Sequence, residues 1–394
     1  MAREHPLDLG LTMNSLPQPD PALPLNGIRV IELGQVLSAP FAGSILADLG
    51  AEVLKIEKCE GGDDARHMGP AFRHGDALNF HLFNRGKKSI ALDLKSPQGI
   101  QSLFGLLNDA DILIHNLRPG VTLALGLDGQ ALCERFPRLI YCEISAFGHT
   151  GPMSMRPGYE PLIQAFSGLS STNGGPEDPP IRIGASVCDQ GTGMWGVIGV
   201  LSMLEKRRHT HRGGVVNASL LETALVWNGQ KSEAYLNQHQ LPVRHASGHP
   251  NFVPYEAFDT ADGPLLICCG NDRLFAKLSA VLGVEQWTQD PRFATNRQRL
   301  LHKGELLKEL CPRLLEHSKH HWVEVFEAAG VPCSPIFSVP ETLEHPQVQA
   351  LSIRQAVPGE DFSLTGLPLS FDGVRPPISS GAPKLGEHNL QYTS

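Results

Sequence analysis

No stretch of the 394-residue chain approaches the roughly 20 consecutive apolar residues that a membrane helix requires. No HExxH or comparable ligand spacing occurs, although histidines cluster at His317, His320 and His321, so no metal site is expected. The eight cysteines (59, 133, 142, 188, 268, 269, 311 and 333) contain no Cys-x-x-Cys pair. They read as reduced, buried thiols of a cytoplasmic protein. Positive charge is in deficit. Net charge of −8 argues against nucleic acid or an anionic membrane as the main partner. Two nucleotide fingerprints are missing as well. The turn Gly34–Gly43 lacks G-x-G-x-x-G and sets Pro40 where a pyrophosphate needs bare backbone, and there is no P-loop. Dinucleotide binding in the usual manner is disfavoured.

What is present is a globular chain long enough for two domains, with 41% hydrophobic and 19% charged residues. The first 24 residues carry five prolines and neither the basic start nor the apolar core of a signal peptide, and they read as an arm. Residues 28–33 read as a strand, 41–49 as a helix and 52–57 as a second strand, which makes a βαβ unit. Ser96-Pro97 forms a cap pair opening a helix to about Asn108, followed by a strand at 111–115, a helix near 129–136 and a strand at 139–144. Such alternation predicts a Rossmann-like α/β domain with a parallel sheet, over 25–225. Thr260–Gly263 reads as a hairpin turn in a smaller α+β domain over 245–340, and residues 345–394 are expected to return to the first domain. Ligands of parallel sheets gather at the carboxyl ends of the strands, here Leu33–Ser38, Glu57–Lys58, His115–Gly120 and Ser145–Gly148.

The stretch Gly184–Gly193 places one carboxylate, Asp189, on a glycine-rich turn where a helix begins. Free donors at a helix N-terminus suit an anion or a developing oxyanion, so Asp189 there is equipped to act as a nucleophile toward an activated acyl group. The N–H groups of Gln190 to Gly193 are the expected oxyanion donors. A structural N-cap aspartate has the same local sequence.

In order along the chain come Ile28–Gln35, Leu49–Lys58, Phe83–Lys95, His115–Gly120, Pro157–Glu160 and Gly184–Gly193. With these six segments the sequence resembles the class III CoA-transferase family, which holds formyl-CoA and carnitine CoA-transferases together with the alpha-methylacyl-CoA racemases. The resemblance covers about 25 to 390. It implies an interlocked homodimer, no permanently bound cofactor, and coenzyme A or acyl-CoA as substrate. It puts the nucleophile on Asp189. CoA contacts map to Leu37 and Ser38, Lys58, Leu92, Asp93, Lys95, Asn116, Leu117, Arg118, Tyr159 and Glu160. Lys58, Lys95 and Arg118 would supply local cations for the CoA phosphates.

The racemase branch carries a His where this chain has Tyr159 and a Glu near Asn271. A phenol with a pKa near 10 is a poor base at neutral pH, so transfer is favoured over racemisation. A non-catalytic CoA-binding protein is a third reading, against which the intact Asp189 motif stands. Leu37 replaces a Gln of formyl-CoA transferase, and Cys268–Asp272 replaces a run of glycines. Arg85, Lys87 and Lys88 read as further cations at loop positions, able to pair with the second carboxylate of a C4 to C6 dicarboxylate acceptor. Succinyl-CoA or a similar thioester is the expected donor.

Overall fold

A computed structural model describes residues 23–393, so the 1–24 arm, apart from Leu23 and Pro24, lies outside the described residues. In chain order the elements that frame the site begin with β1 (Arg29–Leu33), α1 (Ser38–Asp48), β2 (Glu52–Glu57), β3 (Lys87–Ala91) and α2 (Pro97–Leu107). They continue through β4 (Ile112–His115), β5 (Ile140–Ser145), α3 (Glu160–Phe166), α4 (Val187–Thr210) and β6 (Gly214–Ser219). The later elements are β7 (Tyr255–Thr260), β8 (Gly263–Cys268), α5 (Asp272–Val281) and β9 (Cys333–Pro335).

The chain divides into two compact units. The first takes the residues up to Arg156, Asp189–Ser219 and Ile353 onward; the second takes Pro157–Cys188 and Leu220–Ser352. Residues 157–188, grouped with the large domain in the sequence reading, thus pack with the second unit.

The first unit is built on a six-stranded sheet of order β3-β2-β1-β4-β5-β6, parallel throughout. Its interior strands are near-continuous apolar runs, as a sheet covered on both faces requires: Val30, Ile31, Leu54, Leu113 and Ile114 are fully or almost fully buried. Two strands, β3 and β6, were not anticipated. Strand β3 opens Lys87-Lys88, which reads as a loop, yet the Lys87 side chain is buried against an acid of β1. Strand β6 alternates exposed and half-buried residues at the sheet's margin. Helix α2 starts as expected, with the Ser96 hydroxyl accepting from Gly99 N–H and Pro97 at its first position. Helix α1 begins earlier than expected, with Pro40 in its first turn, where a missing N–H costs nothing.

The C-terminal residues cover the β3 edge. Asn389 brackets Ala91, accepting from its N–H at 2.8 Å and donating to its carbonyl at 3.1 Å, while His388 N–H bonds Ser89 O. In the second unit β7 and β8 form the hairpin over Thr260–Gly263, and β9 extends it to an antiparallel sheet of order β9-β8-β7. Helices carrying Phe275, Leu310 and Phe326 enclose its core with Leu265 and Ile267.

Candidate active site

From β1 the chain steps outward to β2 and β3, then returns to β4 on the other side of β1. That reversal makes the carboxyl ends of β1 and β4 a topological switch point, where open parallel sheets bind ligands. Nine of the residues singled out above lie along this edge of the first unit. Leu37 and Ser38 follow β1, Lys58 follows β2, Leu92, Asp93 and Lys95 follow β3, and Asn116, Leu117 and Arg118 follow β4.

The two loops at the switch point are tied by Asn116. Its amide donates to Gln35 O and accepts from Gln35 N–H, both at 2.8 Å, and it reaches the Ser38 hydroxyl at 3.2 Å. Ser38 is buried, whereas Lys58, Lys95 and Arg118 are exposed. Lys58 pairs with Asp64 at 2.6 Å.

Beneath the loops lies a cluster of charges with almost no solvent exposure. Glu32 pairs with Lys55 at 2.9 Å and with Lys87 at 2.7 Å, and Lys55 also pairs with Asp63 at 2.8 Å and donates to Gly34 O at 2.9 Å. Lys87 meets three acceptors, Glu32 and the oxygens of Pro40 and Asn84, which match the three donors of an ammonium. Burial pulls the Lys55 ammonium down, but Glu32 and Asp63 outweigh it and hold its pKa above the ordinary value. Burial likewise opposes ionisation of Asp63, and Lys55 with the Ala65 and Val36 N–H groups still keeps that carboxyl below its usual range.

These contacts correct the expectation for Arg85, Lys87 and Lys88. Arg85 is buried on Asp48 at 2.5 Å, Lys87 is consumed by Glu32, and Lys88 bonds Glu52 and the Tyr392 hydroxyl, each at 2.6 Å. None is an open cation at a loop. The cysteines are all free, but only Cys142, Cys188 and Cys269 are buried and Cys59 is exposed.

Helix α4 starts at Val187, so Asp189 lies within its first turn and not on a turn before it. Only the first N–H groups of a helix lack internal acceptors, which here belong to the Ser186–Asp189 stretch. Gly191 to Gly193 are already inside the helix, so the N–H groups expected to be free at Gln190–Gly193 fall where a helix bonds its own donors. The glycines serve close packing. A Cβ on Gly193 would sit 2.7 Å from Ser38 O, and one on Gly199 would sit 2.5 Å from Val216. Gly193, Gly196 and Gly199, three residues apart, thus let α4 lie against the start of α1 and against β5 and β6.

In the second unit Tyr159 is exposed, while Glu160 is buried as the first residue of α3. The Glu160 carboxylate accepts from Gln164 at 2.7 Å and from Cys188 N–H at 3.1 Å. It therefore satisfies one donor at the start of the helix that carries Asp189. Asn271 caps α5, accepting from Leu274 N–H at 2.9 Å.

Sequence reading placed His115 at a strand end and gave its side chain no role. It is fully buried between Tyr141 and the loop it precedes, and its hydrogen bonds fix one tautomer. Leu117 N–H donates to Nδ1, and Nε2–H donates to the Tyr141 oxygen at 2.7 Å, because the Tyr141 hydroxyl itself donates to Leu127 O. Burial lowers its pKa to about 4. The unfolded chain, with a histidine pKa near 6.5, binds the extra proton first, so this contribution is complete above pH 6.5 and is lost as pH falls to 4. The loss should reach about 3 kcal/mol. Urea melts at pH 7 and 4.5 check it. The difference should shrink in His115→Gln, and equal differences in both proteins would refute the assignment.

The profile of CoA-transferase family III matches residues 25–389. The succinate–glutarate CoA-transferase of Agrobacterium fabrum is 37% identical over 96% of this chain and 96% of that protein. The acetyl-CoA:oxalate CoA-transferase of Acetobacter aceti is 36% identical over 93% and 94%. A crystal structure of a CAIB/BAIF family protein from Brucella suis superposes with a TM-score of 0.86 at 35% identity, covering 94% of this chain and 98% of that one. The switch-point loops and the Asp189 helix are therefore parts of an enzyme that uses CoA thioesters, and the chain belongs to CoA-transferase family III.

Proposed function

We propose that the protein moves CoA from succinyl-CoA or a similar donor to a C4 to C6 dicarboxylate through an aspartyl-CoA thioester on Asp189. The observation that carries the reading is the placement of Asp189 in the first turn of α4, packed through Gly193 onto Ser38 at the switch point. Asp189 attacks the thioester carbonyl, forming a mixed anhydride and expelling CoA thiolate. The thiolate then attacks the Asp189 carbonyl, releasing the donor acid and leaving aspartyl-CoA. An acceptor carboxylate reverses the two steps.

CoA lies along Leu37, Ser38, Lys58, Leu92, Asp93, Lys95 and Asn116–Arg118 of the first unit, with exposed Lys95 and Arg118 toward its phosphates. Racemisation is disfavoured because Tyr159 stands in for a base and Asn271 is committed to capping. The activity of the Agrobacterium fabrum relative on succinate and glutarate supports a C4 to C6 acceptor, whereas that of the Acetobacter aceti relative on oxalate supports only a dicarboxylate in general. Arg85, Lys87 and Lys88 support neither, since their charges are already matched. With succinyl-CoA as donor, kcat/KM for glutarate should exceed that for butyrate by at least about tenfold, the scale of one charge-assisted contact. Equal values would end the dicarboxylate reading and leave CoA transfer intact.

The homodimer belongs to this proposal too. Helix α4 exposes Met194, Trp195, Ile198 and Leu201 at i, i+1, i+4 and i+7, an apolar stripe suited to a second copy. Light scattering should give about twice the 42.8 kDa chain mass; a monomer at micromolar concentration would refute it.

A further inference from the structure

The turn between β1 and α1 contains a residue in a rare conformation. Val36 has φ of 64°, a left-handed value that is an outlier for a β-branched side chain. Leu37 N–H bonds Gln35 O at 2.9 Å across it, which makes a γ-turn of the strained form with Val36 at its centre. Such a conformation persists only where its surroundings impose it. Here they do so from two sides. Asn116 brackets Gln35, and the Asp63 carboxylate accepts from Val36 N–H at 3.0 Å.

Asp63 is itself fixed. It is almost fully buried, its second oxygen pairs with Lys55 at 2.8 Å, its own N–H bonds Glu57 at 2.9 Å, and Ala65 N–H donates to it at 2.9 Å. Lys55 in turn holds Gly34 O, the first residue of the same turn. The buried charges thus grip the turn at Gly34 and Val36.

We infer that Asp63 is a positioning residue of the acyl-CoA site. By holding the Val36 amide it keeps the γ-turn closed and sets the direction in which Leu37 and Ser38 meet CoA. The inference rests on the proposal that these two residues contact CoA. A positioning role of this kind depends on the turn being costly to form. Glycine adopts positive φ freely, so in the Val36→Gly background the turn needs far less outside support.

The experiment is a double-mutant cycle read by calorimetric titration with free CoA and by kcat and KM for succinyl-CoA. In the wild-type background Asp63→Ala should weaken CoA binding at least tenfold and raise KM more than it lowers kcat. In the Val36→Gly background the same substitution should cost less than threefold. If Asp63→Ala fails to fold, Asp63→Glu keeps the charge beside Lys55 while displacing the acceptor, and it should show the same background dependence. Equal costs in both backgrounds, or unchanged CoA affinity in a folded Asp63 variant, would overturn the inference. No CoA binding by the wild-type protein would instead overturn the assignment of the turn to CoA, and the inference with it.

Discussion

Asp189→Ala is expected to lower CoA transfer at least about 1,000-fold while the protein stays folded, because covalent catalysis through this carboxylate has no substitute nearby in sequence. The nearest acid in the motifs, Glu160, is buried and already accepts from Gln164 and Cys188 N–H. Folding has less at stake. An acid in the first turn of a helix contributes about 0.3–1 kcal/mol through the dipole, and α4 runs 24 residues with packed glycines along one side. Circular dichroism should show a melting temperature within a few degrees of wild type, of order 1 kcal/mol. Residual activity of several per cent would remove Asp189 from its role.

Glu32→Gln should instead cost about 3–5 kcal/mol of stability, the range for breaking a buried ion pair by removing one partner. Glu32 has no solvent exposure and stands between two ammonium groups that have none either. The substitution keeps the shape and removes the charge, leaving Lys87 with neutral acceptors and Lys55 with Asp63 alone among its paired anions. The backbone closes over the carboxylate so tightly that a Cβ on Gly43 would lie 1.9 Å from the Glu32 oxygen. A drop in melting temperature of about 5 °C is expected for a chain of this length. A shift under about 2 °C would mean the cluster contributes little beyond its own desolvation.

The same cluster explains where the sequence was readable and where it was not. Apolar runs gave β1, β2, β4 and β5, because interior parallel strands are buried on both faces and say so in their composition. Lys55 did not obscure β2, since its neighbours Val53, Leu54 and Ile56 carry the pattern. Lys87 did obscure β3. A lysine pair ahead of Ser-Ile-Ala resembles a solvated loop, and only the register of β3 beside β2, with Glu32 one strand further in, turns it into a core residue. For the same reason Arg85, Lys87 and Lys88 looked like free cations: a sequence shows charge but not the partner that matches it.

The glycines near Asp189 were legible as special and misread in purpose. Spacing of three places Gly193, Gly196 and Gly199 on one helical face, a packing signal that outweighs a turn reading. Val36 and His115 lie in segments the sequence marks as strand ends, but nothing in it signals the conformation of the one or the burial of the other. Positive φ on a valine and a buried imidazole locked by Tyr141 arise from tertiary contacts across 27 and 26 residues.

The central claim is that a covalent intermediate forms on one aspartate. The most direct measurement is to incubate the protein with succinyl-CoA, trap with hydroxylamine or borohydride, and locate the modified carboxylate by peptide mass spectrometry. The account predicts modification confined to the peptide containing Asp189 and absent from Asp189→Ala. Modification centred on Glu160, or none during active turnover, would contradict it.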